Sequence, residues 1–198
     1  ADLIVTDAPV DLAALGLKAR AIERQNWLRA ASAPLAHRVP LFQADGLFER
    51  MAPFARMVFS PAGLLVWAAV VAAGSMTAAQ HWRTLTEGLA ERVLAPWSLI
   101  TLLAAYLLLK LVHEVGHGLA LKAGGGRVHE IGVMLLLFVP LPYVDASSAT
   151  AFPSKWRRAL VAAAGVMVEL FCAAVAMMLW VHAEPGAFRS FLFAIMLV

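Results

Sequence analysis

From residue 60 onward the chain alternates long uncharged runs with short polar breaks. This pattern follows neither the two-residue period of a half-buried strand nor the one-faced stripe of a surface helix. Residues 61–79 carry no charge and follow Ser60-Pro61, a helix start. A second run covers residues 97–121, just after Pro96, and a third covers residues 159–181, preceded by Lys155, Arg157 and Arg158. A membrane-crossing helix needs about 20 mainly apolar residues, and all three runs meet that length. A fourth apolar run opens at Phe188 and is still apolar at Val198. Residues 131–141 are uncharged but too short to cross. The helix breakers around them, Gly124, Gly125, Gly126, Pro140 and Pro142, predict a re-entrant strand or hairpin. The expected fold class is therefore an all-α polytopic membrane protein with three transmembrane helices, the start of a fourth, and a short re-entrant strand or hairpin after the second.

The polar N-terminal part reads differently. Residues 12–32 place Leu12, Leu15, Ala19, Ile22 and Ala30 apart from most of the charges, as in an amphipathic helix lying on a membrane surface or against its neighbours. Pro34, Pro40 and Pro53 punctuate a mixed stretch, residues 33–57, which reads as a linker with short helical turns. Asp45-Gly46 in that stretch reads as a surface turn.

Composition agrees with the segment pattern. The chain is 62% hydrophobic and 15% charged, against about 45–50% and 25% for soluble domains. A net charge of +3 with no dense basic run argues against a nucleic-acid partner. The single cysteine, Cys172, rules out an internal disulfide and a multi-cysteine metal site. Arg38, Arg50, Arg56, Lys122, Arg127, Lys155, Arg157 and Arg158 flank one side of the three runs, while the loop between the first two has only Arg83 and Arg92. The positive-inside rule then makes the N-terminus and the middle segment cytoplasmic, with Trp82, Trp97 and Trp180 at the opposite interface.

Near the inner end of the second run stands His113-Glu114-Val115-Gly116-His117. On a helix, positions i and i+4 share a face, so two imidazoles can reach one zinc ion with Glu114 beside them as a proton acceptor. Chance gives roughly 0.007 such motifs in a chain of this composition. Ionisable groups in an apolar helix cost on the order of 2–3 kcal/mol, and such residues mark function. The duller alternative is a histidine pair satisfied by backbone or binding haem. Lys110, three residues before His113, is either a neighbour of the site or snorkels to the interface.

The stretch Leu111-Val112-His113-Glu114-Val115-Gly116-His117-Gly118 resembles the site-2-protease family of intramembrane zinc metalloproteases. The Gly-rich turn, the apolar residues 131–141 and a third helix containing Ala163-Ala164-Gly165 add to the likeness, which covers roughly residues 97–181. The resemblance implies that His113 and His117 bind Zn2+ and that Glu114 is the general base. Where family members carry Gly-Pro and then Asn along the third helix, the matching positions here are Gly165, Val166 and Glu169. Glu169 reads either as a helix-packing hydrogen-bond partner or as a group near the metal. The family's third ligand, an aspartate in an Asp-Gly motif on a following membrane helix, has no match after His117. The preferred reading is that the fourth run continues beyond Val198 and carries it; otherwise another carboxylate, Asp145 or Glu169, takes the place. Asp145 reads either as shaping the substrate path or as a turn cap towards Ser147 or Ser148.

The expected domains are residues 1–57, a cytoplasmic amphipathic and linker region, and residues 58–198, a membrane-embedded metalloprotease core that is incomplete at its C-terminus. The expected activity is zinc-dependent hydrolysis of a peptide bond in or near a transmembrane substrate segment. An edge strand at residues 128–137 would hold the unwound substrate by backbone pairing. The expected partners are a membrane protein or peptide substrate and the lipid bilayer. Two other readings stay open: an inactive membrane scaffold or accessory of a secretion or efflux assembly, and a haem or quinone protein.

Overall fold

The computed structural model describes residues 36–136 and 139–198. Strand β1 is Ala36–Gln43, and helix α1 is Asp45–Val58. Helix α2 (Pro61–Gln80) is followed by two short helices, α3 (Trp82–Thr86) and α4 (Leu89–Leu94), and by the long α5 (Pro96–Ala123). Strands β2 (Glu130–Leu136) and β3 (Val139–Val144) and a 3-10 turn (Ser147–Ala151) lead to α6 (Lys155–His182) and α7 (Ala187–Leu197). The three apolar runs of the sequence are thus α2, α5 and α6, each long and apolar enough to cross a membrane. The amphipathic helix expected at residues 12–32 lies outside the described residues.

The helix starts follow local chemistry. At α2 the Ser60 side chain accepts from the Gly63 N–H at 3.0 Å, and Pro61 sits where no amide hydrogen is needed. Pro96 does the same for α5. The two halves of α5 then meet different surroundings. Trp97, Leu99, Ile100 and Leu103 stand exposed, whereas Gly116, Gly118, Leu119, Ala120, Leu121 and Lys122 are buried. The first half has the surface of a lipid-facing helix, and the second is the centre of a protein core.

That core corrects the linker reading of residues 33–57. In place of short turns, the described part of the stretch forms β1 and the 14-residue α1. Phe48, Ala52 and Ala55, at helical spacing, turn one face of α1 inward, and Phe48 and Ala55 join the core of Leu119, Ala120, Leu121 and Val128. Pro53 lies within α1 without ending it. Periodicity was hard to see because only small alanines and one Phe carry the buried face.

The sheet holds a second correction. Its order is β1-β2-β3 with both pairings antiparallel, from Ala36↔Leu136 to Gln43↔Glu130 and from Ile131↔Val144 to Leu136↔Val139. The hairpin expected after the second long helix is β2 with β3. However, β2 is the central strand, so the edge expected at residues 128–137 is already paired on both sides. β1 and β3 are the edges, and β3 is the one packed against α5.

In α2 and α6, Gly74 lies so close to Ala174 that a Cβ there would sit 2.6 Å from its Cα. Small residues let apolar helices approach in this way when burial of Leu-like surface offers no advantage over lipid. The Trp67 indole N–H donates to the Met167 carbonyl at 2.7 Å and locks the same pair.

Candidate metal centre

Helices α5 and α6 meet at the two motif histidines. A Cβ on Gly116 would lie 2.9 Å from Val168 Cγ2 and 3.1 Å from the Ala164 carbonyl. A Cβ on Gly165 would enter the His113 ring, which therefore rests directly on the α6 backbone. Both glycines are present because the crossing leaves no room for a side chain.

The four imidazole nitrogens are sharply differentiated. His117 Nδ1 lies 2.6 Å from the Val161 carbonyl, which can only accept, so this nitrogen carries the hydrogen. His113 Nδ1 lies 2.7 Å from Glu169 Oε1, and an ionised carboxylate likewise only accepts. In neutral rings this assignment leaves both lone pairs on Nε2. The two Nε2 atoms face each other at 3.0 Å, with the rings edge to face and centroids 4.7 Å apart. Two lone pairs at that spacing repel unless a proton or a cation sits between them. Zn–N bonds of about 2.0–2.1 Å span such a separation, so the two rings can supply two of the three protein ligands that a catalytic zinc ion takes.

Glu114 is held from two sides. Its Oε1 lies 3.3 Å from Lys110 Nζ, and its Oε2 accepts the Val144 N–H at 3.1 Å. Lys110 therefore lies beside Glu114, one helical turn before it. Val144 ends β3, so the carboxylate of α5 is attached to a sheet edge.

The edge itself has an unusual donor pattern. The Asp145 N–H donates inward to the Glu130 carbonyl, and the Val144 N–H points outward to Glu114. Strand alternation then turns the backbone groups of residues 140, 142 and 144 outward. Two of these are prolines, which have no N–H, as is usual on an edge strand. The outer edge of β3 therefore offers carbonyls but no free amide hydrogen at these positions.

Asp145 and Glu169 occupy different places. Asp145 Oδ1 accepts the Ser147 N–H at 2.9 Å, the turn cap, and Oδ2 lies 3.8 Å from His129 Nδ1. Burial pushes its carboxyl up, but the Ser147 amide and hydroxyl, with His129 and Arg38 nearby, hold it below the usual carboxylate range. Glu169 binds the Nδ1 side of His113, opposite the converging Nε2 atoms. Among the described residues no group of three His, Cys, Asp or Glu side chains forms a metal-binding cluster. Tyr143, whose hydroxyl donates to Glu130 Oε1 at 2.7 Å, is pushed up to about 12 by burial and by that carboxylate.

Several participants have no motif to announce them. The Val161 carbonyl and the Val144 amide are backbone groups, visible only once α6 and β3 are placed. Asp45 is another. Instead of a surface turn, it begins α1, where its Oδ1 lies 2.6 Å from Lys122 Nζ and accepts the Val128 N–H at 3.1 Å. Lys122, 7% exposed, also meets Glu49 at 2.6 Å. An acidic pair at i and i+4 on α1 was the available signal. No family model, curated protein or solved structure matches this chain.

Proposed function

We propose that this chain is a zinc-dependent intramembrane endopeptidase that hydrolyses a peptide bond in or near a transmembrane substrate segment. The observation that carries the reading is the pair of Nε2 atoms at 3.0 Å, each ring tied through its Nδ1, with Glu114 on the same helix. The motif resemblance to site-2 proteases and the three apolar helices support it. His113 and His117 would hold the ion. When bound, zinc supplies Lewis acidity towards a peptide carbonyl and makes water more acidic.

The remaining work falls to the chain's own groups. Glu114 accepts a proton from the attacking water and delivers it to the leaving nitrogen. Lys110 and the Val144 amide keep its two oxygens oriented meanwhile. A substrate helix must unwind before a peptide bond is accessible, and the outer edge of β3 can accept hydrogen bonds from an extended segment. The arrangement of arginines and lysines along the chain puts the N-terminal region and this site on the cytoplasmic side of a multi-pass protein.

The decisive experiment pairs metal content with turnover in the full chain. Wild type is expected to carry about one zinc per chain, and a His113→Ala/His117→Ala double variant none. Glu114→Gln is expected to retain zinc and lose at least about 100-fold in cleavage of a co-expressed membrane substrate. Undiminished cleavage by Glu114→Gln overturns the assignment of the base. A zinc-free wild type favours the inactive scaffold of a secretion or efflux assembly.

A further inference from the structure

Three residues of α6, each four positions apart, receive the histidine pair. The Val161 carbonyl accepts from His117, the Gly165 backbone underlies the His113 ring, and Glu169 binds His113 Nδ1. Spacing by four puts all three on one face of the helix, just as His113 and His117 share one face of α5. The two imidazoles are nevertheless secured in different ways. His117 is oriented by a main-chain carbonyl, which no side-chain substitution removes. His113 is oriented by a single side chain, that of Glu169.

We infer that Glu169 is a positioning residue for the metal centre, holding His113 in the Nδ1–H tautomer so that its Nε2 lone pair converges with that of His117. The inference rests on the reading of the pair as a zinc site. A carboxylate is suited to this task in a way that an amide is not. It only accepts hydrogen bonds, so it cannot turn a donor towards Nδ1 and reverse the tautomer. Outer partners of this kind fix the ring orientation of a metal-ligating histidine as well as its tautomer. Because it binds Nδ1, Glu169 does not itself occupy the metal's coordination shell.

Chelator-competition titration of zinc alone against the purified full chain tests the inference, using wild type, Glu169→Gln and Glu169→Ala. Loss of a carboxylate of this kind weakens metal binding by about 10–100-fold, the effect expected for Glu169→Ala. Glu169→Gln retains an acceptor and is expected to fall between that variant and wild type. The melting temperature of the metal-free protein is expected to be little changed, while the rise on adding zinc shrinks in both variants. A merely structural role moves the metal-free melting temperature and leaves zinc affinity alone, which would overturn the inference. So would Glu169→Ala binding zinc within twofold of wild type. If Glu169→Ala does not fold, Glu169→Gln decides, and wild-type affinity in that variant overturns the role. A wild type that binds no zinc overturns the underlying metal reading instead.

Discussion

At Lys122 an ammonium with a side-chain exposure of 5% is placed between two carboxylates of another helix, Asp45 and Glu49, both at 2.6 Å. A buried charge left without a partner is far costlier than a pair is beneficial, so this contact dictates where α1 docks on α5. The hydrogen bond from Lys122 holds the Asp45 carboxyl below its usual range, with the Val128 amide assisting and burial opposing. A carboxylate lowered in this way stabilises the fold fully above its unfolded value, about 3.9, and the contribution disappears as pH falls through the lowered folded value. Asp45→Asn is expected to destabilise the protein by about 1 kcal/mol near neutral pH, because the Asp45 side chain is 43% exposed and its charge is partly screened by solvent, and because Glu49 remains to pair Lys122. Denaturation of both proteins from pH 7 to pH 3 should show the gap closing at the acidic end. A gap that is constant with pH would mean that the charge of the Asp45 carboxylate contributes nothing to the docking of α1.

Among the elements, α1 was the least legible and α5 the most. An 18-residue apolar window announces a spanning helix regardless of context, whereas α1 buries only Phe48 and small alanines, and its Pro53 argues for a break. Its docking depends on Phe48, 1% exposed, whose ring lies where a Cβ on Gly118 would come within 2.5 Å. Phe48→Ala should open a cavity beneath α1 and cost about 3–5 kcal/mol, read as a lower unfolding midpoint in detergent. Because Gly118 directly follows His117, the proposed zinc site is expected to lose affinity as well. A midpoint within the error of wild type would show that α1 contributes nothing to the core. The sheet adds a related lesson. Residues 131–141 announced a hairpin through Pro140 and Pro142, but which strand lay at the edge depended on β1, more than 80 residues away in the chain, and no local pattern records that pairing.

For the whole molecule, α2 and the first half of α5 carry exposed apolar surface, and the sheet, α1 and the histidine pair form a packed unit with the second half of α5. The orientation read from the charges makes a concrete claim. With Cys172 replaced by Ser, single cysteines at Gly88 and at Arg127 should label from opposite sides of intact vesicles, Gly88 from the outside and Arg127 only after permeabilisation. Labelling of both from one side would overturn the orientation.

The sequence alone determined three things: the three long helices, the hairpin after α5 and the pair His113 and His117 beside Glu114. Each is local, since helix length, turn chemistry and i to i+4 spacing are properties of contiguous residues. Tertiary structure alone decided the strand order, the partner of Lys122, the Glu169 contact with the outer nitrogen of His113, and the use of the Val161 and Val144 backbones in the site. These depend on contacts between segments from 30 residues apart, for Glu114 and Val144, to 100, for Ala36 and Leu136, where a residue's role follows from what packs beside it rather than from its neighbours in the chain.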